Sequence, residues 1–244
     1  MNTRCQVMNK AGKRTAVIDI YGVIGFDPDA PDQGESPQRN MRPIIREKLI
    51  DAMKGGAEQI FVNITAETGD AETAMELYEL FAGQSVPVTT YMHGYCGTAA
   101  VVVAQAGDQR QASESALFSI TGDHTFFFGS YNQNTLRERV KEIKQNNKIV
   151  SNLFANHSRH NAVYYLGKMN ANAEGRDWMD AGEFINTGLI DKVVKPKDGE
   201  QTALGKMNLK TSKISNRRNT AADRTQHARQ LKLIKLKGGS SANK

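Results

Sequence analysis

HGYCGTAAVVVAQAGDQRQASESALFSIT, residues 93–121, is the stretch whose reading decides the fold. Gly94 marks a turn, a helix opens at Thr98, and Ala106-Gly107-Asp108 closes it ahead of small-residue strand segments around Gln111 and Leu117. The apolar run at 99–104 is far shorter than the roughly 20 residues a membrane-spanning helix needs. Outward toward the N-terminus, residues 86–92 read as a strand and 70–81 as an amphipathic helix with Met75, Leu77, Leu80 and Phe81 inward. QIFVNI at 59–64 reads as a buried strand. Residues 41–53 place Ile44, Ile45, Leu49, Ile50 and Met53 on one helical face, with Gly55-Gly56 as the stop. RTAVIDIYGVI at 14–24 reads as a strand that bends or bulges at Gly22, and a polar loop with three prolines follows it. Toward the C-terminus, a long helix spans 135–160, and GRDWMDAGEFINTGLIDKVV at 175–194 leads into a last strand. Alternation of this kind predicts an α/β protein, a mainly parallel sheet with crossover helices.

The ordered landmarks resemble those of the ClpP-like proteolytic subunit family, especially the shorter phage proteins of the head-maturation protease type, within the ClpP/crotonase superfamily. The resemblance rests on the small residues before the helix at Thr98, on Ala106-Gly107-Asp108 and the strand after it, and on Gly188-Leu189-Ile190-Asp191 before the final strand. It covers roughly residues 14–195. It implies a ClpP/crotonase-type fold for residues 1–200, a ring-like homo-oligomer, and a Ser-His-Asp peptidase centre. By that resemblance the nucleophile position is Thr98, the base position, counted from Arg110, is Thr121, and the carboxylate is Asp177 in Gly175-Arg176-Asp177. The oxyanion donors map to Gly69 and Ala99. The family's Ser-Pro-Gly-Gly turn is replaced by Thr65-Ala66-Glu67-Thr68-Gly69, which reads as a loop about two residues longer.

Serine peptidases pass the nucleophile's proton to a histidine held in its useful tautomer by a carboxylate. Thr98 keeps a hydroxyl, crowded by its methyl, whereas Thr121 has no titration near neutrality and cannot serve as the base. His124 is the candidate for a relocated base, provided a turn at Gly122-Asp123 brings it back to Thr98. His93 reads as a hydrogen-bonded structural residue, and His157 and His160, three apart on the expected long helix, lack the partners of a metal pair. Cys96 reads as a buried structural thiol, and Ser113, Ser115 and Ser119 as strand or turn residues. No cofactor motif is found, and none is expected.

Several functions remain open on these residues. One is an impaired peptidase-fold subunit acting in assembly or regulation. A second is a working phage-type serine/threonine peptidase using Thr98 and His124. A third is an acyl-thioester binder, since residues 94–118 also resemble an enoyl-CoA hydratase segment, although the N-terminal half lacks that family's loop pattern. A fourth is a virion structural or nucleic-acid-binding protein.

Charge divides the 244 residues. Residues 201–244 hold eleven Lys or Arg against the single acid Asp223, leaving 21 basic and 25 acidic residues in 1–200, so the tail carries +10 and the body −4. The basic C-terminal tail, which includes His227, is poor in large apolar residues and is expected to be disordered, with a polyanion such as nucleic acid as its candidate partner. Two cysteines and the absence of a signal-like opening predict a cytoplasmic, reducing location, or association with a phage virion. No membrane contact is expected, and whether an ATPase partners the chain is left open.

Overall fold

The computed structural model describes residues 3–10, 13–25, 41–124 and 130–195. The proline-containing loop and the basic tail lie outside these residues. β1 (Thr3–Lys10) and β2 (Lys13–Ile24) form an antiparallel hairpin, and β2 then pairs in parallel with β3 (Gln59–Gly69). β4 (Val88–Met92), β6 (Gln109–Ser113) and β9 (Lys192–Val194) extend the sheet in the order β1-β2-β3-β4-β6-β9, each new pair parallel. A smaller sheet joins β5 (Tyr95–Cys96), β7 (Leu117–Phe118) and β8 (Met179–Asp180). The mainly parallel α/β architecture expected from the alternation is what the chain adopts.

α1 (Met41–Lys54) buries Ile45, Leu49 and Ala52, one helical face, and Gly56 takes a positive φ of 77° where the chain turns into β3. α2 (Ala71–Ala82) starts where the Asp70 carboxylate accepts the Thr73 N–H at 2.6 Å. Its Leu77 and Phe81 are buried, with Met75 and Leu80 partly buried against the same core. α3 (Thr98–Ala104) is the centre of that core, since all six residues after Thr98 are buried. Three consecutive valines disfavour a helix by about 0.5 kcal/mol each relative to alanine. Their burial contributes roughly 1.5–3 kcal/mol each, so packing decides the outcome.

Three elements differ from the sequence reading. β3 runs on to Gly69 where a loop was expected, because β2 offers it a pairing edge as far as Ile24, past a register shift at Gly22/Val23. That shift is the bulge anticipated at Gly22. The expected helix at 135–160 is α4 (Gln133–Asn156), capped at its start by Asn132, and a separate α5 (Ala162–Ala171) follows. The break occurs because His157 ends α4 and the Asn161 side chain accepts the Tyr164 N–H at 3.0 Å, starting a new helix. His157 and His160 therefore do not share a helix. Val150 and Phe154 of α4 are buried in the body, whereas Val140 and Ile149 are exposed. Short α6 (Ala181–Phe184) closes the segment before β9, with Phe184 stacked on Phe118 at 4.0 Å. Among the described residues no helix is long and apolar enough to cross a membrane, and no group of three His, Cys, Asp or Glu side chains is placed to hold a metal ion.

Candidate active site

Gly97 sets the start of α3. Its N–H donates to Ala66 O at 2.9 Å, and a Cβ there would collide with Glu67 O, so only glycine lets β3 and the helix start approach this closely. Thr98 follows as the first helical residue. Its Oγ1 accepts the Thr121 backbone N–H at 2.7 Å, lies 3.0 Å from Thr121 O as donor, and stands 3.2 Å from Thr121 Oγ1. Two positions 23 residues apart are thus joined through one hydroxyl, and its proton has a carbonyl as acceptor. Neither threonine supplies a group that titrates near neutrality.

Asp177 reaches the same neighbourhood by its backbone. Asn172, buried at the end of α5, accepts the Asp177 N–H on Oδ1 at 2.9 Å and donates through Nδ2 to Asp177 O at 3.0 Å and Ser119 Oγ at 2.9 Å. Ser119 Oγ in turn donates to Asp177 O at 3.1 Å. The Asp177 side chain is exposed, and among the described residues no hydrogen bond reaches its carboxylate. Asn172 and Ser119 therefore fix the Asp177 segment beside the segment after β7 that carries Thr121. The sequence marks Ser119 only as a strand or turn residue and does not mark Asn172: no spacing or composition signal announces a contact made across 53 residues.

Among the described residues no hydrogen bond joins His124 to Thr98. Its Nε2 lies 2.7 Å from Ala173 O, and a carbonyl can only accept, so that nitrogen carries a proton. Asp123 is held to α4, its N–H donating to Asn147 Oδ1 and its carboxylate accepting from Asn146 Nδ2, both at 2.7 Å.

Gly69 and Ala99 are adjacent, for a Cβ on Gly69 would stand 2.9 Å from Ala99 Cβ. Ala99 lies in the first turn of α3, and Gly97 provides no side-chain cap for that turn. Cys96 is buried; desolvation pushes its thiol up to about 12, partly offset by backbone contacts at Ala66 and His93, so it stays an unreactive thiol at neutral pH. His93 stacks on Tyr91 at 5.7 Å, and among the described residues no side-chain hydrogen bond reaches it; burial lowers its pKa, with the Asp19 charge opposing. His157 sits 3.1 Å from Tyr78 OH, and burial, then the Arg110 charge, lowers its pKa against the pull of Asp191.

The family model of Clp protease matches residues 35–197, about two thirds of the chain. The chain belongs to the Clp protease family. Among curated members of that family, the ATP-dependent Clp protease proteolytic subunit of Ligilactobacillus salivarius (strain UCC118) is 22% identical over 200 residues, covering 81% of this chain and 98% of the relative. Solved structures agree on the Clp protease fold. An asparagine-to-aspartate mutant of ClpP1 from Listeria monocytogenes superposes with a TM-score of 0.59 at 14% identity, over 75% of this chain and 93% of the other. ClpP1 from the same organism gives 0.56 at 14% identity, with the same coverage of 75% and 93%.

Proposed function

We propose that this Clp protease family member is a catalytically impaired peptidase-fold subunit, serving in assembly or regulation, with Thr98, Thr121 and Asp177 at the three triad positions. The observation that carries the reading is the Thr98–Thr121 contact: the hydroxyl at the nucleophile position is engaged by a backbone N–H and carbonyl, and among the described residues no imidazole hydrogen-bonds to it. General-base assistance is worth about 10² to 10⁴-fold, and the position from which it would come holds a second threonine. His124 gives its Nε2 to Ala173 O, which supports the same reading. Gly69 and Ala99, assigned here as the oxyanion pair, lie close enough that a Cβ on Gly69 would stand 2.9 Å from Ala99 Cβ.

As a family member the chain assembles into a ring-like homo-oligomer, and Ile149, half-exposed on α4, remains available to such contacts. The body works in the cytoplasm or on a phage particle, and the tail, at +10, engages a polyanion. The test is labelling by a serine-directed fluorophosphonate followed by intact-mass measurement. No adduct is expected on the unmodified protein; an adduct localised to Thr98 would refute the impaired reading.

A further inference from the structure

Tyr95, Leu117 and Asp180 stand opposite one another in the small sheet, one residue each from β5, β7 and β8. Neighbouring strands lie about 4.8 Å apart and successive residues alternate between faces, so these three share one face, while Cys96 and Phe118 are buried on the other. Tyr95 is 54% exposed, and the half-buried Trp178, two residues before Asp180, meets its ring edge-on at 5.3 Å. Asp177 and Asp180, on either side of Trp178 in the chain, are both exposed. Asp180 gives one carboxylate oxygen to the Glu183 N–H, and the backbone of Asp177 is pinned by Asn172 and Ser119. Arg176, the nearest cation in sequence, pairs with Glu174 at 3.0 Å, and among the described residues no Lys or Arg pairs with Asp177 or Asp180. Two accessible aromatic rings thus lie beside two carboxylates that have no cation, three residues before Thr98 on one strand and at the Asp177 position on the other side.

We propose that this face binds a lysine or arginine side chain from an extended segment of a partner protein, the cation held by the Tyr95 and Trp178 rings and by the carboxylates of Asp177 and Asp180. Charge complementarity selects that occupant. Aromatic faces and carboxylates both attract a cation, whereas an acidic segment is repelled by the two aspartates. Nucleic-acid bases could stack on the rings, but their phosphates would meet the same carboxylates. That the occupant is a peptide segment rests on the reading of Thr98, Thr121 and Asp177 as the three triad positions of a peptidase fold. In a working centre the carboxylate stabilises the imidazolium that forms beside it. With threonine at position 121 the negative charge of Asp177 is not needed for that purpose and is open to a ligand. An exposed ion pair alone is weak, so the rings are what turn the charge into selectivity.

Trp178 is the single tryptophan of the chain, so its emission reports on this face directly. The test is titration of the full chain at low salt with two end-capped peptides of valine and threonine, one carrying a central lysine and the other acetyl-lysine at the same place. The lysine peptide should change Trp178 emission saturably and bind about fivefold more tightly than its uncharged counterpart. Asp177→Asn with Asp180→Asn, which keeps a side chain able to cap α6, should remove that preference. Equal binding of the two peptides, or a preference that survives in the double variant, would overturn the proposal. So would an emission that neither peptide changes, the result expected if a second copy or another part of the chain already covers the face. Mass spectrometry of the recovered peptides bears separately on the impaired-peptidase reading: cleavage would refute that reading, while the charge preference is decided by the titrations.

Discussion

Thr98 Oγ1 takes the backbone N–H of Thr121 at 2.7 Å, joining the first residue of α3 to the segment just after β7, 23 residues later. A hydroxyl in this position acts as a latch between two elements.

Removal of the latch should therefore appear in stability. Thr98→Val keeps the shape but leaves the part-buried Thr121 N–H without an acceptor, a loss of about 1–3 kcal/mol. Thr121→Val removes only the 3.2 Å side-chain contact and should cost less than about 1 kcal/mol. Urea denaturation of the two variants, side by side, checks the order; equal effects would mean the backbone contact is not what holds the strand.

The Asn172 amide should matter more than its place outside any sequence motif implies. Asn172→Ala strands the Asp177 N–H and removes donors from Asp177 O and Ser119 Oγ, with an expected loss of about 2–4 kcal/mol. Hydrogen exchange should show the 173–178 segment opening before the rest. Uniform exchange with unchanged stability would count against the clamp.

Much of the fold was legible because it follows from local signals. The run at 99–104 formed a buried helix, the helix expected over 70–81 formed as α2 with Asp70 as its cap, and Gly22 placed a bulge where the sheet shifts register. What escaped depends on partners distant in the chain. β1 has little apolar alternation and exists as an edge to β2, while the end of β3 is a strand only because β2 reaches Ile24. The α4/α5 break lacks glycine and proline and is created by the Asn161 cap. At the site, the residues near Thr98 were legible from their order, but Asn172 and the Ala173 carbonyl that holds His124 were not, since both are tertiary placements.

Acid should weaken the fold through two histidines. Burial lowers the pKa of both His93 and His157 from the ordinary value of 6.5, so the folded state prefers their neutral forms. Their contribution is full above the unfolded value, declines as pH falls through 6.5 toward the folded values, and is constant below them. Asp191 adds a separate, lower window. Burial raises its pKa, but hydrogen bonds and charge from Arg110 outweigh that, and the stability it lends is held above 3.8 and lost as pH falls through the depressed folded value. His157→Gln should flatten the loss measured by urea denaturation between about pH 7.5 and 5.5. An unchanged slope would remove His157 from the account.

The tail should bind polyanions in a salt-dependent manner. A chain ending at Glu200 loses ten net positive charges and should bind duplex DNA far more weakly at low salt, with a shallower dependence on salt concentration. Equal affinity of the shortened and full chains would place the binding elsewhere.

Peptide hydrolysis by the purified protein tests the central claim most directly, measured beside Thr98→Ser, Thr121→His and the double substitution. Members of a catalytic unit act together, so the unmodified chain and both single variants should show no turnover above background, with any gain confined to the double variant and dependent on Gly69 and Ala99 still serving as an oxyanion pair. Robust turnover by the unmodified chain, abolished by Thr98→Ala and by His124→Ala, would contradict the account and establish a working peptidase with a relocated base.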